Sequence, residues 1–170
     1  NKKFWIAGLA NAFYSAAMSL VLASVTFYVQ YALGLSSKQS TFLLAAVMVV
    51  AIASVSLWVW LVKSFSLIPV WRSSLALLAL TFIPLYFASS LSTAVIFAAF
   101  IGLGFSGVIT TMDLIGAKIM DEDTQKHGLR REGIISNALG FMNRLNGLFT
   151  SAAYLLVGRL YGFESGANPG

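Results

Sequence analysis

The chain has 170 residues, 58% of them hydrophobic and 10% charged, with a mean hydropathy of +0.83. A soluble domain carries about 25% charged residues and this chain could not cover a soluble surface, so the composition reads as an all-α integral membrane protein. The net charge of +5 lies between apolar runs, where it sets topology instead of recruiting nucleic acid. The chain contains no cysteine, which excludes disulfides and thiolate metal sites.

A helix needs about 20 apolar residues to cross the hydrocarbon core. The start, Asn1-Lys2-Lys3, leads into an apolar run far longer than the roughly 7–15 residues of a signal peptide. That run gives the first crossing, about 4–33, ended by the turn Gly34 to Lys38. The second crossing spans about 42–62. The charge-free stretch Ser73 to Met112 is too long for one helix. It divides at Ser89–Ser92 into a third crossing, about 71–88, with a kink expected near Pro84, and a fourth, about 93–116. A charged loop over 117–133 precedes the fifth crossing, 134–161. Residues 1–162 thus form one bundle, and 163–170 are read as a polar tail. Strands are excluded, because open sheets cannot span lipid and these runs are too long for barrel strands. The chain lacks a starting Met and is expected to be a fragment.

Five crossings put the two ends on opposite sides. One side carries Lys2, Lys3, Lys63, Arg72, Lys118, Lys126, Arg130 and Arg131, the other Lys38 and Arg159. The Lys/Arg-rich side is expected to be cytoplasmic. That places the N-terminus and the 117–133 loop inside the plasma membrane and the C-terminal tail outside it. Trp5, Trp58, Trp60 and Trp71 fall near helix ends, as interfacial belts do.

Arg144 lies about ten residues, or roughly 15 Å, into the fifth crossing. A charge at that depth costs from about 2.5 kcal/mol upward, so it must face protein or water. Asn137, Gly140, Arg144, Gly147, Ser151 and Gly158 recur at steps of three, four or seven and share one small, polar face, flanked by Asn143 and Asn146. Arg144 is therefore expected to bind a polar group of a transported solute or to pair with an acid. A purely structural ion pair is the bland alternative. A weaker stripe, Asn11, Ser15, Ser19, Thr26 and Gln30 with Tyr14 beside it, marks the first crossing; Gly102, Ser106, Thr110 and Asp113 mark the fourth. Either stripe lines a shared cavity or packs helices closely. Asp113, near the inner end of its helix, reads as a gate residue.

Gly102-Leu-Gly104-Phe-Ser-Gly107 matches a dinucleotide fingerprint but lies inside a spanning segment, without the required strand and following acid. The glycines are expected to serve close helix contact. Asp121-Glu122-Asp123 lacks the spacing of a calcium loop, and His127 is the chain's single histidine, so no metal is expected. No nucleophile–base pair appears, and an enzyme is not expected. The island Lys118–Glu132 mixes four basic and four acidic residues. It reads as a salt-bridged latch on the cytoplasmic side of an alternating-access carrier, or as a merely solvated loop.

Ala117-Lys118-Ile-Met-Asp121-Glu122-Asp123, followed by His127-Gly128-Leu-Arg130-Arg131-Glu132-Gly133 and then Asn143-Arg144, resembles the glycoside–pentoside–hexuronide:cation symporters, the melibiose-carrier branch of the major facilitator superfamily. Two positions depart from that pattern: Lys118 stands where the family has Asp, and Arg144 where it has a sugar- and cation-site Lys. The resemblance implies that the five crossings are helices 7–11 of twelve, and that the partners are a sugar or glycoside, the bilayer and the missing N-terminal half of the same transporter. The coupling cation would be H⁺ or Na⁺, with no other cofactor. Arg144, Asn143, Asn11 and Tyr14 would line the solute cavity; Lys118, Asp121, Arg130, Arg131, Glu132 and Asp113 would form the inner gate. A non-transporting membrane subunit is the alternative.

Overall fold

A computed structural model describes residues 2–34, 36–128 and 131–161. The described residues are 92% helical, with no strand among them, as the apolar runs require. The helices are α1 (Lys2–Phe27, continued by a π-helical turn Tyr28–Ala32), α2 (Ser40–Phe65), α3 (Leu67–Thr81), α4 (Ile83–Tyr86), α5 (Leu91–His127), α6 (Glu132–Arg144) and α7 (Asn146–Tyr161). Four stretches are long and apolar enough to cross a membrane: Lys2–Ala32, Ser40–Phe65, Leu67–Tyr86 and Leu91–His127.

Three boundaries differ from the sequence expectation, each for a local reason. The third crossing starts at Leu67 and breaks at Phe82, just ahead of Pro84, whose missing N–H and ring bulk interrupt the helical ladder. The fifth is divided at Leu145 into helices of 13 and 16 residues. Asn143, Asn146 and Gly147 are weak helix formers, and their clustering there loosens the helix. Most of the charged island is helix, not loop: α5 continues to His127 and stops at Gly128, which takes the left-handed conformation (φ 65°) and donates to the Thr124 carbonyl at 2.9 Å. Lys126 and His127 occupy the last turn of α5, where cations suit the helix dipole. At 37 residues α5 is about 55 Å long, well beyond the hydrocarbon thickness of about 30 Å, so its charged end projects into the headgroup layer. The tail, 162–170, lies outside the described residues.

The chain divides into two compact units, Asn1–Ser24 with Ile119–Gly170, and Val25–Lys118. In the second, a core of Val29, Leu43, Ala94 and Ala98 is flanked by Val47, Leu91 and Val95. The α5 glycines set the helix spacing here. A Cβ on Gly102 would strike the Val47 carbonyl, one on Gly104 would lie 2.7 Å from the Leu78 Cα, and one on Gly107 would strike the Trp58 ring. Gly102 and Gly104 therefore pack against the backbone of a neighbouring helix, and Gly107 makes room for the Trp58 ring. Trp58 Nε1 donates to the Leu103 carbonyl at 2.9 Å, and the Thr111 hydroxyl donates to the Gly107 carbonyl at 2.7 Å and lies 3.3 Å from the Ser74 hydroxyl. Trp58 and Trp71 are accordingly buried (4% and 7% exposed), whereas Trp5 and Trp60 are exposed, so only two of the four tryptophans suit an interfacial belt.

The connection between α2 and α3 is the single residue Ser66, at φ 69° and ψ 159°, a region essentially restricted to glycine. Ser66→Gly is expected to stabilise the protein by about 1 kcal/mol, seen as a rise of roughly 2–4 °C in thermal unfolding.

Candidate functional site

In the unit formed by Asn1–Ser24 and Ile119–Gly170, α1 lies beside α6 and α7. Gly8 leaves room for the buried Met142, Phe13 stacks on Phe149 with ring centroids 4.7 Å apart, Thr150 donates to the Ala16 carbonyl at 3.5 Å, and the Ser24 and Tyr154 hydroxyls meet at 3.2 Å. Residue numbers rise together along both partners, so the helices run parallel. Interpolating between the Gly8–Met142 and Phe13–Phe149 contacts places Asn11 near the level of residue 146. Of the residues read from sequence as the solute site, Asn11, Asn143 and Arg144 thus lie within about one turn of one another along the axis, and Tyr14 stands about one turn further along α1; Arg144, two residues past the α1-facing Met142, is about 200° around the helix from that side.

The break in the helix falls at the same level. The Leu145 N–H donates to the Met142 carbonyl at 3.1 Å, three residues back instead of four. Arg144 is exposed, and makes no hydrogen bond or ion pair with a described residue. Asn143 is half-buried, and its Oδ1 is enclosed without a hydrogen-bond donor. Asn137, Gly140, Gly147 and Ser151, on the face of Arg144, are likewise exposed. On consecutive residues Arg144 offers a planar five-donor guanidinium and Asn143 an amide acceptor, groups that can hold a polyhydroxylated or anionic solute. The break itself could not be read from hydropathy, since Leu145 continues the apolar pattern; the Asn-Arg-Leu-Asn-Gly run was the available signal.

The charged island organises around Asp123. Its Oδ1 lies 3.2 Å from His127 Nδ1, and its Oδ2 lies 3.2 Å from Arg131 Nη2, so one carboxylate joins the end of α5 to the start of α6 across Gly128. Lys3 Nζ donates to Glu122 Oε2 at 2.7 Å, tying α1 to the same end of α5. Below them Phe4, Ile119, Asp123, Ile134, Ile135 and Ala138 line an apolar cleft of about 270 Å³. Of the gate residues read from sequence, Arg131 enters this network. Lys118, Asp121 and Glu132 are exposed and form no ion pair with a described residue, and Arg130 lies outside the described residues. Asp113 is exposed on α5 within the other unit. Helical geometry explains the choice of acid: Asp121 is two residues from Asp123, about 200° around α5. The Asp123–His127 pair is legible as an i, i+4 spacing, while Lys3–Glu122, 119 residues apart, is not.

Removing the Asp123 charge is expected to loosen the island. Surface pairs contribute about 0.2–1 kcal/mol each. Asp123→Asn should therefore raise amide hydrogen exchange over 119–128 by roughly five- to tenfold, with Asp121→Asn leaving it unchanged.

Comparison with curated proteins and with solved structures gives no match for the chain. Residues 1–169 do match the sequence model of a family described as MFS/sugar transport protein. With that match over nearly its whole length and four membrane-length apolar helices, the chain belongs to the MFS/sugar transport family and is an integral membrane protein.

Proposed function

We propose that the chain is the C-terminal half of a cation-coupled symporter of sugars or glycosides, of the melibiose-carrier branch, working by alternating access. The observation that carries this reading is Arg144: a cation with no partner among the described residues, about ten residues into the fifth apolar segment, at a helix break and within about one turn of Asn11 and Asn143 along the axis. Transporters place solute sites near the bilayer midplane, where interrupted helices free polar groups. Arg144 and the two asparagines bind solute hydroxyls, and Tyr14 closes the cavity one turn away. The island is the cytoplasmic latch: Asp123 clamps α5 to α6, and Glu122 holds α1 through Lys3. Asp121 and Glu132, exposed in the same unit, pair with the other half in the inward-closed state, and Lys118, Asp113 and Arg130 are assigned to the same gate on their sequence positions alone. The Lys/Arg distribution places the latch and the N-terminus on the cytoplasmic side of the plasma membrane and the tail outside.

The test is uptake of labelled glycosides by the complete carrier in proteoliposomes, with a Na⁺ gradient and a pH gradient imposed separately. Accumulation under one of them is expected. Absence of uptake under both, for neutral and acidic glycosides alike, overturns the reading and leaves a non-transporting subunit.

A further inference from the structure

His127, the chain's single histidine, stands against the carboxylate that ties α5 to α6. Its Nδ1 lies 3.2 Å from Asp123 Oδ1 and 3.1 Å from the Asp123 carbonyl oxygen. Both neighbours accept hydrogen bonds, so the proton of the neutral imidazole belongs on Nδ1, and Nε2 takes up the second. Arg131 Nη2 lies 3.4 Å from the same Oδ1 and 3.2 Å from Oδ2. Two nitrogens at 3.2 and 3.4 Å from one oxygen are at most 6.6 Å apart. That is inside the screening length of about 8 Å at physiological salt. The Asp123 side chain is 15% exposed and that of His127 51%, so the carboxylate is shielded while the ring is open to solvent protons.

The two contacts differ in what they join. His127 is four residues from Asp123, so its contact stays within α5. Arg131 is the N-cap residue of α6, so its contact holds the start of that helix to α5. Among the described residues no other ion pair joins these two helices. The arginine side of the tie is incomplete: Arg131 Nε is enclosed with no acceptor, and it regains a partner when the side chain moves into water. The remaining charges at this end are Asp121, Glu122 and Lys126 of α5, Glu132 of α6, and Lys2 and Lys3 of α1, with Lys3 held by Glu122 at 2.7 Å. Among the described residues, Asp123 alone is within ion-pair distance of the ring.

We infer that His127 makes the α5–α6 tie proton-sensitive, its protonation releasing Arg131 from Asp123. Histidine gains its charge between about pH 8 and pH 5. Beside a neutral ring, Arg131 is the carboxylate's charged partner, and its departure strands a shielded anion. A protonated ring compensates that anion from its own helix and repels the guanidinium, so the departure costs less. The tie is therefore closed at neutral pH, and acidification shifts the population toward release, because the added charge is better accommodated once Arg131 has left. The inference rests on the latch reading of the island, but its test measures helix separation and not transport, so either can fail without the other.

The test is double electron–electron resonance on the complete carrier in nanodiscs, freed of any other cysteine. Nitroxides are placed at Gln125→Cys on α5 and Ser136→Cys on α6, both exposed positions. A longer-distance population about three- to fivefold larger at pH 5.5 than at pH 8 is expected, the worth of one exposed ion pair. His127→Gln, neutral at both values, should abolish the response and keep the short distance. His127→Lys, charged at both, should show the longer population at pH 8 as well. The parent protein carries the test without these variants, through its pH response. An unchanged distribution between the two pH values, a response that survives in His127→Gln, or only the short distance in His127→Lys at pH 8 overturns the assignment.

Discussion

Arg144→Ala in the complete carrier is expected to lower the initial rate of glycoside uptake about a hundredfold while leaving thermal unfolding within about 2 °C of the parent. Truncating a charged hydrogen-bonding group in a desolvated site costs about 2–5 kcal/mol, and each 1.4 kcal/mol is tenfold. Stability should hardly move, because Arg144 is exposed and bonds to no described residue. Arg144→Lys keeps the charge but loses the planar fork, so a loss of about tenfold is expected. The pairing of lost uptake with retained stability separates a solute-binding arginine from a structural one, which would unfold the α6–α7 region when truncated. Undiminished uptake in Arg144→Ala removes the residue from the site.

The legible part of this protein was what hydropathy encodes. Apolar runs of bilayer length, the stop at Gly34, the disruption near Pro84 and the position of Arg144 on a small, polar face are all one-dimensional signals, and helices carry them faithfully because their hydrogen bonds are local. Polar residues at i, i+3 and i+4 were more ambiguous. Ser106 and Gly102 belong to a stripe that could have lined a cavity, but both are buried at helix contacts, whereas the face around Arg144 is open. Periodicity shows that residues share a face and says nothing of what covers it. The island misled for a related reason. Charge suggested a loop, yet Asp, Glu, Gln and Lys continue a helix that has left the hydrocarbon, and only Gly128 stops it. Lys3–Glu122 joins residues that only the fold brings together.

Gly104 shows the same limit from the other side, and it should be a sensitive packing position in the Val25–Lys118 unit. Its motif suggests phosphate binding to a reader of patterns, but its surroundings are the Cα, N and Cβ atoms of Leu78 at 2.7 to 3.1 Å from where a Cβ would stand. Two of those atoms are backbone and cannot rotate away, so a larger residue must push α3 off α5 and with it the Ser74–Thr111 contact. Between membrane helices there is little hydrophobic driving force, and close approach at small residues supplies much of the cohesion. Gly104→Val is therefore expected to cost about 3 kcal/mol by overpacking, a fall of roughly 6–12 °C in thermal unfolding, with loss of the monodisperse peak in size-exclusion chromatography. Gly116→Ala is the matched control on the same helix. Nothing lies within 4 Å of its Cβ position, so the substitution should be neutral or gain up to about 1 kcal/mol of helix propensity. If Gly104→Val unfolds no earlier than Gly116→Ala, the α3–α5 contact does not hold this unit together, and the glycine spacing in α5 needs another cause.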